Sequence, residues 1–319
     1  MTIQTGLWFD PAKLLIGGHW RPATGGASIP VENPSTGEAI ASIAAGTADD
    51  VEAAVSAGEV ALDGEWGAMT ATERGRILMR LSRLVEERAE TLAHLESADI
   101  GKPIAQARND AKALARYFEF YGGAADKVMG ETIPYQAGTT VLTLREPHGV
   151  TAHIIPWNYP MQILGRSVGA ALAMGNACVL KPAEDASLSA LAVAALAEEA
   201  GLPAGALNVV TGWGHEVGAA LSAHPRVHHV SFTGSVGTGR RIQTAAAENV
   251  VPVTLELGGK SPHIVFDDCD LGAALPTLVG ACIQAAGQTC SAASRVLVQR
   301  GIYDEVKNRM AAAYRALVA

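Results

Sequence analysis

Cys290 lies in the segment GQTCSAASR, where the neighbouring side chains are small or polar. Such neighbours leave the sulfur accessible, and a reactive cysteine also needs a local field that favours its thiolate. Cys178 in NACVLK and Cys282 in GACIQ have the apolar surroundings of core residues, and Cys269 in DDCD has acidic neighbours that disfavour a thiolate. None of the four cysteines forms a C-x-x-C pair, and no metal site is predicted. Cys290 is therefore a candidate nucleophile, with a structural thiol as the alternative.

A carboxylate and an amide stand at positions suited to assist a nucleophile. Glu256 in LELGGK is flanked by apolar residues and glycines, so partial desolvation should raise its pKa toward that of a general base. Asn158 in IIPWNYP lies between prolines at the end of a strand, where its amide can donate to an oxyanion. The alternatives are a Glu256 paired with a nearby cation and an Asn158 that only shapes a turn.

Two further segments could bind a phosphate or another ligand. In VHHVSFTGSVGTGRR a strand leads through Gly234, Gly237 and Gly239 into a helix, whose N-terminus offers free N–H groups to a phosphate. The spacing G-x-x-G-x-G differs from the dinucleotide fingerprint, so a tight turn that binds nothing is the alternative. Lys181 and Glu184 in VLKPAE follow another strand, at the edge where α/β sheets bind ligands, unless they only form a solvated helix start.

The elements that position these residues begin at residue 150. From there short β-rich runs alternate with helical ones, and the strands read as continuous apolar runs. This pattern predicts an α/β fold with a Rossmann-like, doubly wound parallel sheet and helices on both faces. After Gly259 a new unit begins, with a helix over 271–286 and a last helix from Tyr303.

The first half of the chain predicts other elements. Residues 1–46 are irregular and turn-rich, and could hold short strands such as Lys13–Ile16. Helices are expected after Thr47, after Thr70 with its capping box, and from Pro103. The weakly alternating segment 132–149, bounded by prolines, predicts a β-hairpin.

The composition narrows the function classes. The 319 residues are long enough for two domains of roughly 100–200 residues each. A net charge of −8 without a basic block, and 5% aromatic residues, argue against nucleic acid and anionic membrane surfaces as partners. The apolar run 271–287 contains Pro276 and Gln284 and is too short to span a membrane. The cysteine usage and the start MTIQTGLWFD, which lacks signal-peptide features, predict a cytoplasmic protein.

Read in order, the motifs PWNYP, VLKPAE, FTGS, LELGGKSP and GQTCSA resemble those of the aldehyde dehydrogenase superfamily, whose members oxidise aldehydes to carboxylates with NAD(P). The resemblance extends through essentially the whole chain. It implies an NAD-binding domain formed by 1–131 and 150–257, an oligomerisation hairpin at 132–149, and the N-terminal part of a catalytic domain at 258–319. It also implies the homodimer or homotetramer expected of an intact relative.

The resemblance implies a role for each catalytic candidate. Cys290 would attack the aldehyde carbonyl and form a thiohemiacetal, whose oxyanion is held by Asn158 and by the backbone N–H of Cys290. Hydride transfer to the nicotinamide would leave a thioester, and Glu256 would activate the water that hydrolyses it. Relatives that pass the acyl group to coenzyme A generally lack this glutamate, so the resemblance and Glu256 together favour the hydrolytic branch.

The resemblance likewise implies the cofactor site. Lys181 and Glu184 would bind the adenosine ribose, and Glu184 would repel a 2′-phosphate, which favours NAD over NADP. Ser235 would contact the pyrophosphate at the helix start, in a turn shaped by Gly234 and Gly239. The implied cofactor-binding set is completed by Trp157 and Leu257.

The chain departs from the family pattern in two respects. Many members carry a lysine nine residues after the asparagine, where this chain has Ser167 preceded by Arg166. Arg166 is predicted to lie near the substrate tunnel, with an ion-paired surface arginine as the alternative. Family members are also much longer, so part of the catalytic domain is expected to be missing. A truncated remnant that keeps nucleotide binding or subunit contacts, and a thiol esterase using Cys290 and Glu256, are therefore the alternative functions.

Overall fold

A computed structural model describes residues 7–317, so the first six residues of MTIQTGLWFD lie outside the described residues. The chain divides between Glu256 and Leu257 into two compact units. The first unit is built around a seven-stranded sheet, and the second contains a two-stranded sheet and two helices. Within residues 7–317, no helix is long and apolar enough to cross a membrane.

The strands up to the unit boundary are β1 (Leu14–Ile16), β2 (His19–Arg21), β3 (Ser28–Asn33), β4 (Glu38–Ala44), β5 (Glu131–Ile133), β6 (Val141–Thr143), β7 (Val150–Ile154), β8 (Ala177–Lys181), β9 (Leu207–Val209), β10 (His229–Gly234) and β11 (Val253–Leu257). The helices of this part are α1 (Ala48–Asp63), α2 (Glu65–Ala68), α3 (Ala71–Glu87), α4 (Ala89–Ile100), α5 (Ile104–Ala124), α6 (Pro160–Ala173), α7 (Leu188–Glu199), α8 (Ala219–Ser222) and α9 (Val236–Ala247). The second unit adds β12 (Pro262–Val265), α10 (Leu271–Ile283), β13 (Arg295–Val298) and α11 (Tyr303–Arg315).

The central sheet has the strand order β11-β10-β7-β8-β9-β1-β2, and the pairs β10–β7, β7–β8 and β8–β9 are parallel. A doubly wound sheet reverses its winding direction at one place, and here that switch point lies between β7 and β10. The register aligns Ile154 with both Lys181 and Phe232, so the carboxyl ends of these three strands share one edge. The predicted α/β fold is confirmed.

The prediction of continuous apolar strands holds for the centre of the sheet and is wrong at one side. All residues of β7 and β8 are buried, whereas β10 and β11 alternate in burial along their length. In β10, Val230 and Phe232 are buried, and the intervening positions are polar. The reason is that one face of these strands lines an open cavity, so only their other face is packed.

The helix starts predicted after Thr47, Thr70 and Pro103 are confirmed. Thr47 and Asp50 form a capping box before α1, and Thr70 and Glu73 form another before α3. Helix α5 follows Pro103 and extends to Ala124. Helix α4 was not predicted from the sequence, although it contributes two residues to the buried polar groups described below.

Residues 1–46 contain short strands, as the sequence allowed: β1 lies within the proposed Lys13–Ile16, whereas the longer strands β3 and β4 were not specified. These strands pair antiparallel from Ser28 opposite Ala44 to Asn33 opposite Glu38. Pro30 obscured the alternating pattern of SIPVEN, because proline argues against a central strand. It is tolerated here because the sheet has only two strands, each with a free edge.

The predicted hairpin is present as β5 and β6, which pair from Glu131 opposite Thr143 to Ile133 opposite Val141. It exposes Leu142, and the strand end beyond it exposes Leu144. In the second unit β12 and β13 pair in parallel, and the predicted helices are α10 and α11. Helix α10 ends at Ile283, three residues before the predicted end, and a short 3₁₀ turn follows.

Candidate active site

Asn158 lies in the turn between β7 and α6, beside the switch point of the sheet. Helix α6 starts with Pro160 at its first position, where a missing N–H has no consequence and the fixed φ favours helix. Asn158 is half-buried, and the neighbouring Trp157 is exposed. The turn is therefore held by a strand on one side and by a proline-initiated helix on the other.

Lys181 and Glu184 form an ion pair at the end of β8. Lys181 Nζ donates to Glu184 Oε2 over 2.7 Å, and the lysine is almost completely buried. Burial lowers the pKa of Lys181, and the carboxylate only partly offsets that effect. Burial also opposes ionisation of Glu184, but the hydrogen bond and charge of Lys181 help to outweigh it and lower the pKa of Glu184. Glu184 is thus an ionised acceptor at this sheet edge.

A third element adjoins this pair and was missed by the sequence analysis. The backbone N–H of Gly214 donates to Glu184 Oε1 over 3.3 Å, in a π-helical turn that spans Gly214–Gly218. Trp213 precedes the turn, is exposed, and stacks on His215 with ring centroids 6.2 Å apart. The available signal was TGWGHEVG, a glycine-rich segment directly after the strand LNVV.

The glycine loop forms the predicted strand-to-helix turn. Ser235 caps α9, since its Oγ accepts a hydrogen bond from the Thr238 N–H over 3.1 Å. The first N–H groups of a helix lack intrahelical partners, so the start of α9 can donate to an anion. Gly234 has a packing reason of its own, because a Cβ there would lie 2.5 Å from the Phe232 ring. Gly239 is buried on the inner side of α9.

Glu256 lies on β11 and is exposed, so the partial desolvation expected from its apolar neighbours is wrong. The neighbours Leu255 and Leu257 are partly buried, because successive side chains of a strand point to opposite faces. Glu256 instead faces a cavity of about 850 Å³ formed within the first unit. Leu257 begins the second unit.

The floor of this cavity is a polar sheet face, which is unusual in a fold whose sheet is normally covered on both sides. Its strand residues are Thr151, His153, His229, Ser231, Thr233, Thr254 and Glu256. His153 is buried, and desolvation lowers its pKa to about 3, so its imidazole is neutral. Its Nε2 lies 3.0 Å from Thr151 Oγ1, and its Nδ1 has no partner among the described residues.

Helix α6 forms a wall of the cavity and carries the two residues that depart from the family pattern. Arg166 is exposed there, and none of the ion pairs found within residues 7–317 involves it, so the alternative of an ion-paired surface arginine is not supported. Ser167 Oγ donates to the Ile163 carbonyl over 2.9 Å within the helix. Ser167 therefore does not supply the cation that a lysine would.

Cys290 belongs to the second unit, in a turn between α10 and β13. It is half-buried and follows three consecutive residues with positive φ: Ala285 at 48°, Ala286 at 56° and Gly287 at 82°. The left-handed region is unfavourable for alanine, and such residues cluster at functional sites. The backbone before Cys290 is thus held in an uncommon conformation.

Two of the other three cysteines have the surroundings that the sequence predicted, and Cys282 does not. Cys178 is fully buried in β8, and burial raises its pKa to about 12, which makes a thiolate nucleophile there untenable. Cys269 lies in a loop, as predicted. Cys282 is only half-buried rather than a full core residue, and its Sγ lies 2.8 Å from the Ala293 carbonyl oxygen. The described residues contain no group of three His, Cys, Asp or Glu side chains that could hold a metal ion.

The first unit therefore brings Trp157, Asn158, Lys181, Glu184, Gly234, Ser235 and Glu256 to the carboxyl ends of neighbouring strands, whereas Cys290 lies in the second unit. A doubly wound sheet with a glycine turn and a paired acid at the strand ends beside its switch point is the architecture of a dinucleotide-binding protein. The model of the aldehyde dehydrogenase family matches residues 20–319. The chain belongs to that family.

Individual relatives agree with this assignment. The chain is 50% identical over 295 residues to hydroxyisobutyraldehyde dehydrogenase of Mycolicibacterium austroafricanum, covering 92% of this chain and 58% of that protein. A solved structure from Burkholderia cenocepacia shares 65% identity with a TM-score of 0.94, covering 95% of this chain and 64% of that one. Betaine aldehyde dehydrogenase of Staphylococcus aureus, solved in complex with NAD⁺, shares 36% identity with a TM-score of 0.94, covering 97% and 62%. The chain thus spans about 60% of the length of these relatives.

Proposed function

We propose that this chain supplies the NAD site and the nucleophile for the oxidation of a small aldehyde to a carboxylate. The observation that carries the proposal is the row of Asn158, Lys181 with Glu184, Ser235 and Glu256 along one edge of one sheet. Family membership over residues 20–319 supports the reaction class. Because the chain spans about 60% of its relatives, the activity is proposed for the protein to which these residues belong.

The residues present fit a dinucleotide. Glu184 is an ionised acceptor suited to ribose hydroxyls, and the capped start of α9 at Ser235 is suited to a pyrophosphate. A negative Glu184 disfavours the additional 2′-phosphate of NADP, so NAD is the proposed cofactor. When bound, NAD accepts the hydride that leaves the substrate carbon.

The chain's own groups carry the covalent steps. The Cys290 thiolate forms a C–S bond to the aldehyde carbon, and the carbonyl oxygen becomes an oxyanion stabilised by the Asn158 amide. Loss of hydride from that carbon restores the C=O bond and leaves a thioester on Cys290. Glu256 takes a proton from water, the resulting hydroxide attacks the thioester, and the C–S bond breaks to release the carboxylic acid.

One assay separates this proposal from its alternatives. The 319-residue chain is mixed with NAD and a panel of small aldehydes, and the absorbance of reduced nicotinamide is followed. Turnover that disappears in Cys290→Ala supports the aldehyde dehydrogenase. Absence of turnover, with NAD still raising the melting temperature, supports a nucleotide-binding remnant, and ester hydrolysis without NADH supports a thiol esterase.

The exposed hairpin of β5 and β6 supports one part of the alternative function, namely that the chain binds another subunit. Leu142 and Leu144 are 60% and 77% exposed, which is a high exposure for leucines in and beside a strand. A homodimer or homotetramer formed through β5 and β6 would cover them. Sedimentation of the chain and of a Leu142→Glu variant tests this, since the substitution should dissociate such an assembly.

A further inference from the structure

We infer that a buried charge cluster, Glu96, Lys102 and Asp110, positions Asn158 for oxyanion binding, an inference that rests on the proposed role of Asn158. The three side chains are at most 4% exposed. Lys102 Nζ donates to Glu96 Oε1 over 2.6 Å and contacts Asp110 Oδ2. The cluster joins α4, the loop after it and α5, none of which belongs to the sheet.

Each carboxylate of the charge cluster uses one oxygen for Lys102 and the other for the start of α6. Glu96 Oε2 accepts the Met161 N–H over 3.4 Å, and Asp110 Oδ1 accepts the Gln162 side-chain amide over 2.7 Å. Lys102 itself completes the set, since its Nζ lies 4.1 Å from the centre of the Tyr159 ring. Three of the four residues after Asn158, namely Tyr159, Met161 and Gln162, therefore contact the charge cluster.

Charge favours this arrangement. Burial raises the pKa of Glu96 to about 8 although Lys102 lies beside it, and the N-terminus of α6, which carries a partial positive charge, reaches Glu96 Oε2 through the Met161 N–H and so favours its ionised form. A buried ion pair adds little stability, because a protein with well-packed apolar residues of similar volume in its place is often as stable or more stable. A cluster whose spare oxygens all bind one short segment is better explained by the geometry of that segment.

The geometry matters because an oxyanion donor must lie about 2.7–3.1 Å from the oxygen it stabilises. A displacement of roughly 1 Å can lower a rate by about a hundredfold. Asn158 follows Ile155–Trp157 and precedes Tyr159, so its direction depends on how both ends of the turn are fixed. Strand β7 fixes the first end, and the charge cluster fixes the second.

Backbone hydrogen exchange of residues 157–162, measured by mass spectrometry on the full chain, tests this positioning. The main variant is Gln162→Leu, which removes the hydrogen bond from Gln162 to Asp110 and leaves the three residues of the charge cluster in place. Lys102→Met is the stronger variant. The control is Glu90→Gln, which removes the exposed 2.6 Å ion pair between Glu90 and Arg108 that joins the same two helices.

Gln162→Leu is expected to raise exchange in residues 157–162 roughly five- to tenfold, the effect of one charge-assisted hydrogen bond, while exchange in α9 stays unchanged. Gln162→Lys keeps a donor and should restore slow exchange, and Glu90→Gln should leave it unchanged. Exchange at the wild-type rate in Gln162→Leu overturns the inference, even if Lys102→Met fails to fold.

Turnover separates failure of the inference from failure of the proposed function. Where the wild-type chain turns over, Gln162→Leu should lower kcat severalfold without changing KM for NAD, and should have no further effect in an Asn158→Ala background. An equal loss of kcat in that background contradicts positioning of Asn158. Absence of turnover in the wild-type chain would contradict the proposed function. The exchange measurement would still decide whether the charge cluster fixes the turn that contains Asn158.

Discussion

Lys181 and Glu184 form a 2.7 Å ion pair where β8 ends, with the lysine buried and the carboxylate also bound by the Gly214 N–H. Sequence analysis assigned both residues to the ribose of the cofactor but did not predict that they bind each other. The pair holds Glu184 ionised and fixed in direction, which would strengthen a hydrogen bond from a ribose hydroxyl.

Glu184→Gln should therefore change the choice of cofactor. Loss of the charge weakens the hydrogen bond to a ribose hydroxyl and removes the repulsion of a 2′-phosphate. We expect NAD to bind roughly tenfold more weakly and NADP to bind more tightly than in the wild type, by calorimetric titration. Glu199→Gln, an exposed acid on α7, is the control. An unchanged ratio of the two affinities would refute the role of Glu184.

Arg166→Ala should reveal whether the cavity beside α6 receives substrate. Arg166 lines that cavity and forms no ion pair within the described residues. A carboxylate on the substrate would gain a charge-assisted bond there, so KM for acidic aldehydes is expected to rise about tenfold in Arg166→Ala. KM for neutral aldehydes should stay constant. Equal KM values for both classes in wild type and variant would remove this role.

Stability should depend on pH through Asp99, which is fully buried beside Asp185 and accepts the Leu188 N–H over 3.0 Å. Burial raises its pKa to about 8, above the ordinary value of 3.8. The folded state therefore binds more protons than the unfolded state between these values, and the contribution of Asp99 to stability is lost as pH rises from about 4 to about 8. The loss approaches about 1.4 kcal/mol per pH unit.

Asp99→Asn keeps an acceptor for the Leu188 N–H and cannot ionise. Urea unfolding at several pH values should show that this variant gains stability relative to the wild type as pH rises through that window. Asp10→Asn, an exposed residue paired with Lys13, serves as the control. A difference between Asp99→Asn and wild type that is independent of pH would show that the buried carboxyl titrates normally.

The cysteines should differ in reactivity toward a thiol reagent. Cys290 is half-buried in a turn, whereas Cys178 is fully buried with a pKa near 12, so Cys290 should be modified in the folded chain and Cys178 only after unfolding. Peptide mapping after timed alkylation measures both rates. Modification of Cys178 in the folded chain at a rate similar to that of Cys290 would contradict the assignment of the nucleophile.

The fold was largely predictable because local signals agreed with it. The helix start at Thr47, the capping box at Thr70 and the β-α series after residue 150 each specify an element without reference to the rest of the chain. The site was predictable only in part. Lys181 and Glu184 follow a strand, as the sequence indicated, and their role in the site stays a prediction from the family resemblance, whereas the charge cluster of Glu96, Lys102 and Asp110 depends on how α4 and α5 pack.

Alternation in β10 and β11 was visible in HVSFTG and VTLEL and was misread as a buried run. The apolar residues that flank Glu256 suggested burial, but in a strand they point to the opposite face. Segment periodicity therefore decides the environment of a strand residue better than the polarity of its immediate neighbours. Applied to Glu256, that rule predicts the exposed position it occupies.

The most direct test of the proposed chemistry is to trap the acyl group. Glu256→Gln should slow hydrolysis, so the chain is mixed with NAD and an aldehyde, quenched in acid and mapped by mass spectrometry. We predict an acyl adduct on the peptide that contains Cys290, lighter than a simple aldehyde adduct by one hydride and one proton, and absent without NAD. An adduct on another cysteine, or one that forms equally without NAD, would contradict the account.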